Sequence, residues 1–306
     1  MTAPKILVIG SSNTDMVIQT DRLPTPGETV LGGEFLMNPG GKGANQAVAA
    51  ARLGGKVSFV SRVGTDIFGQ EAIEGFQQSG IDTQFVFQDS TAPSGIALIL
   101  VNQEGENSIA VAPGANGLLR PADIDSIPLN QLVIDFLLMQ LEVPIDTVEH
   151  AARRAHAMGI KTVLNPAPAQ KLSDHLIQQL FMITPNETEA YLLTGVEVHD
   201  EPSAHEAANM LQDKGVEIVI ITMGAYGAFV KSRDFTGLVP PPEVRPIDTT
   251  AAGDTFNGAL VVALGMGKTL EEAVRFANCA AALSTTKMGA QASIPAFAEV
   301  EGLFYG

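Results

Sequence analysis

Short apolar runs alternate with helical patterns along most of this 306-residue chain, and the alternation limits the folds that it can adopt. The runs are typical of strands buried on both faces, and they are Ile6–Ile9, Val57–Val63, Leu132–Leu141, Thr162–Leu164, Phe181–Thr184 and Glu217–Thr222. The helical patterns are Ala44–Leu53, Ile67–Gln78, Thr147–Met158 and Ala204–Lys214. Because strands that alternate with helices form parallel sheets covered on both sides, the sequence predicts an α/β fold with a mostly parallel sheet.

Two regions interrupt this alternation. Val17–Met37 contains short extended pieces separated by proline and glycine, and Ser94–Val101 with Asn107–Val111 is typical of a hairpin. We expect one domain over residues 1–306, with strands inserted at about 15–38 and 94–112 that form a small separate sheet, as a lid or an oligomer contact. A β-arm packed on the main sheet is the alternative.

The charge balance excludes some classes of partner. The formal net charge is −16, whereas binding to nucleic acid or to an anionic membrane requires a basic surface. The first residues lack the form of a signal peptide, no apolar run reaches membrane-spanning length, and the single cysteine, Cys279, permits no disulfide framework. We therefore expect a cytoplasmic protein without a nucleic-acid or membrane partner.

The segment Asp248–Phe256 suggests chemistry, because small residues lead into an acidic residue where a helix begins, with helical character expected from Phe256. Free backbone amides and the helix dipole favour an anion at such a position, and Ala251, Ala252 and Gly253 carry no bulk that would exclude it. Asp254 is placed like a base, and an aspartate of ordinary pKa, roughly 4, is ionised at neutral pH. An ordinary turn capped by Asp254 explains this segment equally well.

Two glycine-containing turns follow the first strand and precede the first helix. Gly40–Asn45 allows close backbone approach by a ligand, yet it is neither a Walker A loop nor a dinucleotide fingerprint. Asn13 and Asp15, after the first strand, have strand spacing and so point the same way, which suits the vicinal hydroxyls of a sugar. An Asx-type turn is the alternative.

Three further positions lie at the predicted carboxyl ends of strands, where open α/β sheets bind ligands. Asn186 and Glu189 form a capping-box pattern, and the same side chains are suited to hold Mg²⁺ through waters. Glu142 follows another strand, and Thr222–Gly227 contains two glycines that suit backbone approach by a nucleotide. No histidine or cysteine cluster has zinc spacing, and Ser11 lacks a nucleophile-elbow context.

In this order, the motifs resemble those of the PfkB-type carbohydrate kinases, and of the ribokinase group most closely. The resemblance covers essentially the whole chain and is carried by Gly40–Asn45, Asn186–Glu189 and Asp248–Phe256. It implies a ribokinase-like three-layer α/β sandwich with a mostly parallel central sheet. It also implies a small β-sheet lid that covers the sugar and makes the contact of a homodimer.

The resemblance also implies a role for each motif residue. Asp254 would be the general base, and Ala251, Ala252 and Gly253 would form the anion hole for the γ-phosphoryl group. The implied sugar contacts are Asn13, Asp15, Gly41, Lys42, Asn45 and Glu142, with Asp254. The implied nucleotide contacts are Asn186, Thr222, Gly224, Gly227, Gly253 and Asn278. Asn186 and Glu189 would serve Mg²⁺, and a potassium ion would lie near Asp248, Thr250, Ser284, Lys287, Gly289 and Ser293.

Two of these positions depart from the family pattern. Asn278 stands where some relatives have a histidine that stacks against the adenine. Lys287 stands where an arginine is frequent, although a ligand that acts through its carbonyl is indifferent to its side chain.

The implied activity is ATP-dependent phosphorylation of D-ribose at its 5-hydroxyl. Asn13 favours ribose over 2-deoxyribose, since it has a partner for the 2-hydroxyl. The alternatives are a kinase of 2-deoxyribose, fructose or a nucleoside, and a catalytically silent sugar-binding regulator, which would not require Asp254 or the small residues before it. A NAD-dependent dehydrogenase is disfavoured by the missing fingerprint.

Overall fold

A computed structural model describes residues 3–104 and 106–306, so the first two residues and Gly105 of the expected hairpin turn lie outside the described residues. In these ranges the strands are β1 (Lys5–Ile9), β2 (Asn13–Gln19), β3 (Glu34–Gly40), β4 (Lys56–Gly64), β5 (Asp82–Asp89), β6 (Gly95–Val101), β7 (Asn107–Ala112), β8 (Phe136–Met139), β9 (Lys161–Leu164), β10 (Met182–Ile183), β11 (Ile218–Thr222), β12 (Ala228–Lys231) and β13 (Thr236–Val239). The helices are α1 (Lys42–Arg52), α2 (Ile67–Gln78), α3 (Pro121–Asp125), α4 (Ile145–Ala157), α5 (Asp174–Ile177), α6 (Glu187–Thr194), α7 (Glu201–Asp213), α8 (Ala252–Gly265), α9 (Leu270–Ser284), α10 (Ala290–Ser293) and α11 (Phe297–Tyr305).

Nine strands form the main sheet in the order β13-β12-β11-β10-β9-β8-β1-β4-β5. Neighbours from β11 to β5 pair in parallel, and only the β11–β12 and β12–β13 pairs at one end are antiparallel. The predicted α/β fold with a mostly parallel sheet is therefore confirmed.

Side chains of the sheet alternate between two hydrophobic cores, one on each face. On β1, for example, Ile6 and Val8 belong to one core while Leu7 and Ile9 belong to the other. Residues of α1, α8, α9 and α11 complete the first core, and residues of α4 and α7 complete the second. The sheet thus lies between two helical layers, which is the three-layer arrangement that the family resemblance implies.

Some element boundaries differ from the expectation. The run Leu132–Leu141 contains a strand only at Phe136–Met139, because its first residues lie at the surface, where Val133 is 67% exposed. The helix expected from Phe256 begins four residues earlier, at Ala252. β5, β12 and β13 were not predicted; β5 mixes polar with apolar residues, and the other two are strands of four residues joined as a hairpin.

A second, four-stranded sheet has the order β3-β2-β6-β7 and contains the inserted segments. β6 and β7 pair antiparallel, as the predicted hairpin requires, and β2 joins them in parallel. Asn13 and Asp15 lie at the start of β2 and share one of its faces. None of the helices in the two described ranges is long and apolar enough to cross a membrane.

Candidate active site

The site begins at the crossing of α1 and α8, which approach closely because both helices present small residues. A Cβ atom added at Gly258 would lie 2.6 Å from the Cβ of Ala49 and 2.9 Å from the carbonyl oxygen of Gln46. This close approach brings Asn45 and Gln46, on the first turns of α1, against the first turn of α8. The residue that they meet there is Asp254.

Asp254 is 6% exposed and is held by two side-chain amides. Nδ2 of Asn45 donates to its Oδ2 and Nε2 of Gln46 donates to its Oδ1, each at 2.9 Å. Burial raises the pKa of this carboxyl above its ordinary value, whereas the charge of Lys42 and the two amide donors act to lower it. The prediction of an ordinary pKa for Asp254 is therefore wrong, although Lys42 and the two amide donors favour the ionised form that a base requires.

The N-terminus of α8 is not capped by Asp254, since both carboxylate oxygens face α1. The N-cap is Ala251, whose φ of 60° makes it the single non-glycine residue with positive φ in the described ranges. Such a conformation costs on the order of 1 kcal/mol and is concentrated at functional sites. It follows that the simple capped turn, considered above as the alternative, does not form.

The amides predicted to bind an anion differ in availability. The amide of Ala252 donates to the carbonyl oxygen of Thr249 at 3.2 Å. Those of Ala251 and Gly253 donate to no residue in the part of the chain that the structure describes. Two of the three predicted donors are thus free, together with the positive end of the helix dipole.

A cleft of about 390 Å³ opens in front of this helix start. All of the predicted nucleotide contacts line it, namely Asn186, Thr222, Gly224, Gly227, Gly253 and Asn278. Lys42, Glu189 and Asp254 line it as well. A larger groove, of about 1190 Å³, lies beside the start of β11 and the β12–β13 turn, and no predicted site residue lines it.

Asn278 is tied to the protein rather than presented freely to a ligand. Its Nδ2 donates to the carbonyl oxygen of Val239 at 2.8 Å and, more weakly, to that of Pro240 at 3.4 Å. Its side chain therefore anchors α9 to the end of β13 beside the cleft.

On the sugar side, a short hydrogen bond orients Glu142. Its Oε2 accepts from the hydroxyl of Ser11 at 2.5 Å and from the backbone amide of Lys42 at 3.0 Å. The Gly41 turn that presents this amide has a φ of 88°, and a Cβ at Gly41 would lie 2.7 Å from the backbone nitrogen of Asn13. Only glycine fits this position without strain.

Asn13 is oriented by Asn116, a residue that the sequence patterns do not single out. Nδ2 of Asn116 donates to Oδ1 of Asn13 at 2.8 Å and to the carbonyl oxygen of Ser12 at 3.0 Å, while its Oδ1 accepts from the amide of Ser12 at 2.9 Å. Because the oxygen of the Asn13 amide faces Asn116, the Nδ2 group is the one left for a ligand.

Lys42 lies among four carboxylates, those of Asp254, Glu142, Glu189 and Asp15. Burial alone would lower its pKa, but these charges outweigh it and the pKa is raised. Burial, with the nearby charges of Glu142 and Asp254, raises the pKa of Asp15 to about 6. The charge of Lys42 therefore interacts both with the predicted base, Asp254, and with the predicted sugar contacts Asp15 and Glu142.

Asn186 and Glu189 form the expected capping box at the start of α6. Oε2 of Glu189 accepts from the amide of Asn186 at 2.9 Å, and Oδ1 of Asn186 accepts from the amide of Glu189 at 2.8 Å. Burial raises the pKa of Glu189, against the lowering effect of that backbone hydrogen bond and of Lys42. No group of three or more His, Cys, Asp or Glu side chains that could hold a metal ion occurs among the described residues.

The two loops predicted to hold potassium are joined through Asp248. One of its carboxylate oxygens accepts from the amide of Thr250 and the other from the amide of Gly289, both at 2.9 Å. The ammonium group of Lys287 is 2.9 Å from a carboxylate oxygen of Glu299 at the surface, so its charge is directed elsewhere. The hydroxyls of Ser284 and Ser293 donate to carbonyl oxygens of Ala281 and Ala290.

Comparison with known proteins agrees with this geometry, since residues 3–296 match the family described as pfkB family carbohydrate kinase. The chain belongs to this family. A ribokinase of Haemophilus influenzae is 50% identical over 290 residues, which cover 95% of each chain. A deoxyribokinase of Salmonella typhi is 40% identical over 291 residues, again 95% of each chain. The structure of Arabidopsis thaliana ribokinase complexed with ribose and ATP is similar with a TM-score of 0.88, at 30% identity and 99% coverage of both chains.

Within this pfkB family member, the structure adds four polar residues to those that the motifs indicate. They are Ser11, which contacts Glu142, Asn116, which contacts Asn13, Gln46, which contacts Asp254, and Asn165, which contacts Gln46 and also lines the cleft. All four contact predicted site residues or one another through side-chain hydrogen bonds. Gln46 follows the Gly40–Asn45 signature directly, which is a signal that sequence reasoning missed. Asn116 and Asn165 are distant in sequence from the residues that they serve.

Proposed function

We propose that this protein transfers the γ-phosphoryl group of ATP to the 5-hydroxyl of D-ribose and releases ADP and D-ribose 5-phosphate. The observation that carries the proposal is the position of Asp254. It lines the cleft that contains all of the predicted nucleotide contacts, and it is coupled by charge to Asp15, Glu142 and Lys42 on the predicted sugar side. A carboxylate between an ATP site and a sugar site suits in-line phosphoryl transfer.

In this mechanism Asp254 is the general base. Its carboxylate orients the 5-hydroxyl and accepts its proton as the sugar oxygen bonds to the γ-phosphorus and the bond to the β,γ-bridging oxygen of ATP breaks. Because Asn45 and Gln46 each occupy one lone pair on different oxygens, the carboxylate keeps acceptor capacity for the hydroxyl. Positioned bases contribute about two to four orders of magnitude in rate.

The negative charge that develops on the phosphoryl oxygens would be stabilised at the start of α8. We assign this anion hole to the amides of Ala251, Ala252 and Gly253. The free amides of Ala251 and Gly253 support the assignment directly, while Ala252 has to release Thr249 to take part. Amides fixed in advance at a helix N-terminus need no reorganisation during the reaction.

For the sugar, we assign the contacts that the family resemblance implies, Asn13, Asp15, Gly41, Lys42, Asn45 and Glu142. The hydrogen bond from Asn116 occupies Oδ1 of Asn13, which leaves the Nδ2 donors available for a hydroxyl oxygen of the sugar. This supports ribose over 2-deoxyribose, because a sugar without the matching hydroxyl would leave a buried donor unpaired.

For the nucleotide, we assign Asn186, Thr222, Gly224, Gly227, Gly253 and Asn278, which share the cleft. Mg²⁺ fits beside them through waters. The capping box uses Oε2 of Glu189, which also lines the cleft, and leaves its Oε1 to accept hydrogen bonds from such waters, several of which Mg²⁺ commonly keeps. When bound, Mg²⁺ would neutralise charge on the phosphates of ATP.

For potassium, we assign the loops that Asp248 joins, with Thr250, Ser284, Lys287, Gly289 and Ser293 contributing mostly backbone carbonyls. The hydrogen bonds of Asp248 fix both loops, and the pairing of Lys287 with Glu299 removes a competing positive charge. Equal rates in potassium and sodium, after exhaustive removal of potassium, would contradict this site.

We also propose that the small sheet is a lid over the sugar and the contact of a cytoplasmic homodimer. Its face opposite Asn13 and Asp15 is apolar and includes Phe35, Met37 and Leu98, which are 59%, 47% and 56% exposed. An apolar face of this kind is typical of an interface. Closure of a lid excludes water and limits the hydrolysis of ATP.

The experiment that tests the proposed function is a coupled assay of ADP release with ribose, 2-deoxyribose, fructose and adenosine as acceptors. We expect ribose to give the highest kcat/KM. A higher value for 2-deoxyribose, or for another acceptor, would overturn the specificity, and no acceptor-dependent ADP release would overturn the kinase activity.

A further inference from the structure

A chain of buried polar side chains begins at Asp254 and runs along the wall of the cleft, which Asn165, Thr184 and Asn257 also line. Gln46, which is fully buried, occupies its centre. Its Nε2 donates to Oδ1 of Asp254 at 2.9 Å and to Oδ1 of Asn165 at 3.0 Å, and its Oε1 accepts from Nε2 of Gln140 at 2.5 Å. An ionised carboxylate only accepts hydrogen bonds, so the amide of Gln46 has one possible orientation here.

The chain continues across the carboxyl ends of two strands, β9 and β10, and returns to α8. Nδ2 of Asn165 donates to the carbonyl oxygen of Thr184 at 3.2 Å, and the hydroxyl of Thr184 donates to Oδ1 of Asn257 at 2.6 Å. Nδ2 of Asn257 then donates to the carbonyl oxygen of Gly253 at 2.8 Å. Because Gly253 precedes Asp254, these contacts close a ring, which we call the amide ring: Asp254, Gln46, Asn165, Thr184, Asn257 and Gly253.

Burying a ring of polar side chains in a protein core has a free-energy cost, because each polar group has to lose its contacts with water. Apolar side chains of similar size pack there without any need for matched donors and acceptors, and a partly satisfied network is worse than an apolar core. This ring contacts the two parts of the site that have to be aligned for phosphoryl transfer, namely the carboxylate of Asp254 and the peptide of Gly253.

We propose that Gln46 is a positioning residue for the phosphoryl transfer, and that it holds the carboxylate of Asp254 in one orientation and, through the amide ring, in register with the anion hole at Gly253. This inference rests on the proposed function, in which Asp254 is the base. Gln46 contacts neither substrate in this account, and it acts through Asp254 and through the amide ring.

Because charged groups surround Asp254, a change in its hydrogen bonds should alter the pH dependence of kcat/KM. The titratable groups that face it are Lys42 on α1, Glu142 after β8, Asp15 on β2 and Glu189 on α6. Burial raises the pKa of Asp254, and the amide of Gln46 is one of the contacts that oppose this rise. Loss of that amide should raise the pKa further and shift the acidic limb of the kcat/KM profile to higher pH.

The test compares the variants Gln46→Met and Gln140→Met with a matched control, Thr255→Val, in steady-state assays with ribose and ATP across pH. Methionine keeps the length of glutamine without its hydrogen bonds. For Gln46→Met we expect kcat to fall about ten- to a hundred-fold, the range for a lost hydrogen bond to a charged group or a small misplacement. The acidic limb should move to higher pH, while the KM for ribose changes little.

Gln140→Met removes only the donor to Oε1 of Gln46, so it should shift kcat and the acidic limb in the same direction but by less. It also keeps the proposal testable if Gln46→Met does not fold, which thermal unfolding would reveal. Thr255→Val is nearly isosteric, and the buried hydroxyl of Thr255 has no partner among the described residues. This control should leave kcat and the pH profile unchanged.

A folded Gln46→Met or Gln140→Met protein with wild-type kcat and an unmoved acidic limb would overturn the proposal. An equal loss in Thr255→Val would also overturn it, because the effect would then be a general disturbance of the core. Asp254→Asn, measured in parallel, separates the two levels of the account. If Asp254→Asn is inactive and the glutamine variants are normal, only the positioning role fails; if Asp254→Asn is fully active, the base assignment fails and the positioning role with it.

Discussion

The corner where α1 crosses α8 and the small sheet of β2, β3, β6 and β7 contribute to one site in opposite ways. In the corner, Asp254 is 6% exposed, Gln46 is fully buried and the helices touch at Gly258. In the small sheet, Phe35 and Leu98 are more than half exposed. The corner is therefore suited to hold reacting groups still, whereas the small sheet has one face free for a partner.

In this account, the packed corner holds the reacting groups, whereas the small sheet encloses the site. Groups that have to be aligned with the phosphoryl group lie on packed helices and strand ends, where neighbouring side chains fix them. Asn13 and Asp15, which we assign to the sugar, lie where the small sheet joins the main body. A change in the corner should thus affect kcat first, and a change in the small sheet should affect assembly or sugar binding first.

The largest effect is expected for Asp254→Asn. The variant keeps the size of the side chain and its neighbours but loses the base, so kcat should fall by about two to four orders of magnitude. Steady-state assays give kcat, and calorimetric titration with ribose should show little change in affinity. Turnover near the wild-type rate would show that the corner does not contain the base.

A charge on the exposed face of the small sheet should separate the subunits of the proposed homodimer. For Leu98→Asp we expect the dimer to weaken by about 2 kcal/mol or more, as for other central apolar residues of interfaces. Sedimentation velocity measures the monomer fraction. Met158→Asp, at a 44% exposed residue beside α4, is the control that should leave the assembly unchanged. Equal sedimentation of wild type and Leu98→Asp would place the contact elsewhere or exclude a dimer.

Gly258→Ala tests the tight packing of the corner. The new methyl group would lie 2.6 Å from the Cβ of Ala49, so we expect a loss of about 1–3 kcal/mol in the free energy of unfolding, with a fall in kcat as Asp254 moves. Gly302→Ala is the matched control, because nothing lies within 4 Å of a Cβ there and alanine favours a helix. Denaturant unfolding of both variants gives their free energies of unfolding, and equal values would contradict the tight packing of α1 against α8.

Asn116→Ala should act on the sugar side alone. Without its donor, the amide of Asn13 is no longer fixed, so we expect the KM for ribose to rise about ten-fold, the equivalent of one net hydrogen bond. The kcat at saturating ribose should change little, because Asn116 does not contact the corner. A fall in kcat with an unchanged KM would contradict the division of roles.

The smallest effect concerns Asp15, whose pKa is raised to about 6 in the sugar-free protein by burial and by Glu142 and Asp254. A raised carboxyl pKa means that the folded state holds its proton more tightly than the unfolded state, so stability is lost as pH rises from about 4 to about 6. Asp15→Asn should escape this loss and be more stable than wild type above pH 6 by on the order of 1 kcal/mol. Thermal unfolding at pH 5 and pH 8 checks this, and a stability difference that does not grow with pH would argue against it.

Much of the fold follows from local sequence patterns. α2 has the bounds that its apolar spacing predicts, and the buried runs of β1, β4 and β11 occur within one residue of their predicted ends. The weak signals are short or mixed elements, such as β12 and β13, whose four residues acquire strand structure only by pairing with each other and with β11.

The sequence predicts a site residue together with its hydrogen-bond partners where both belong to one motif, as in the capping box of Asn186 and Glu189. It does not predict the partners where they come from distant segments. Gln46 is separated by 208 residues from Asp254, and Asn116 by 103 from Asn13, yet each fixes the side chain that it contacts. The raised pKa of Asp254 has the same origin, since burial depends on the assembled core and not on neighbouring residues.

The most direct test of the account is the identity of the phosphorylated product, measured by phosphorus NMR after complete turnover of ribose labelled with carbon-13 at C5. If the 5-hydroxyl lies against Asp254 and the γ-phosphoryl group at the start of α8, the product signal should show coupling between phosphorus and the labelled carbon. A phosphate attached at another hydroxyl, or free phosphate without any sugar phosphate, would contradict it.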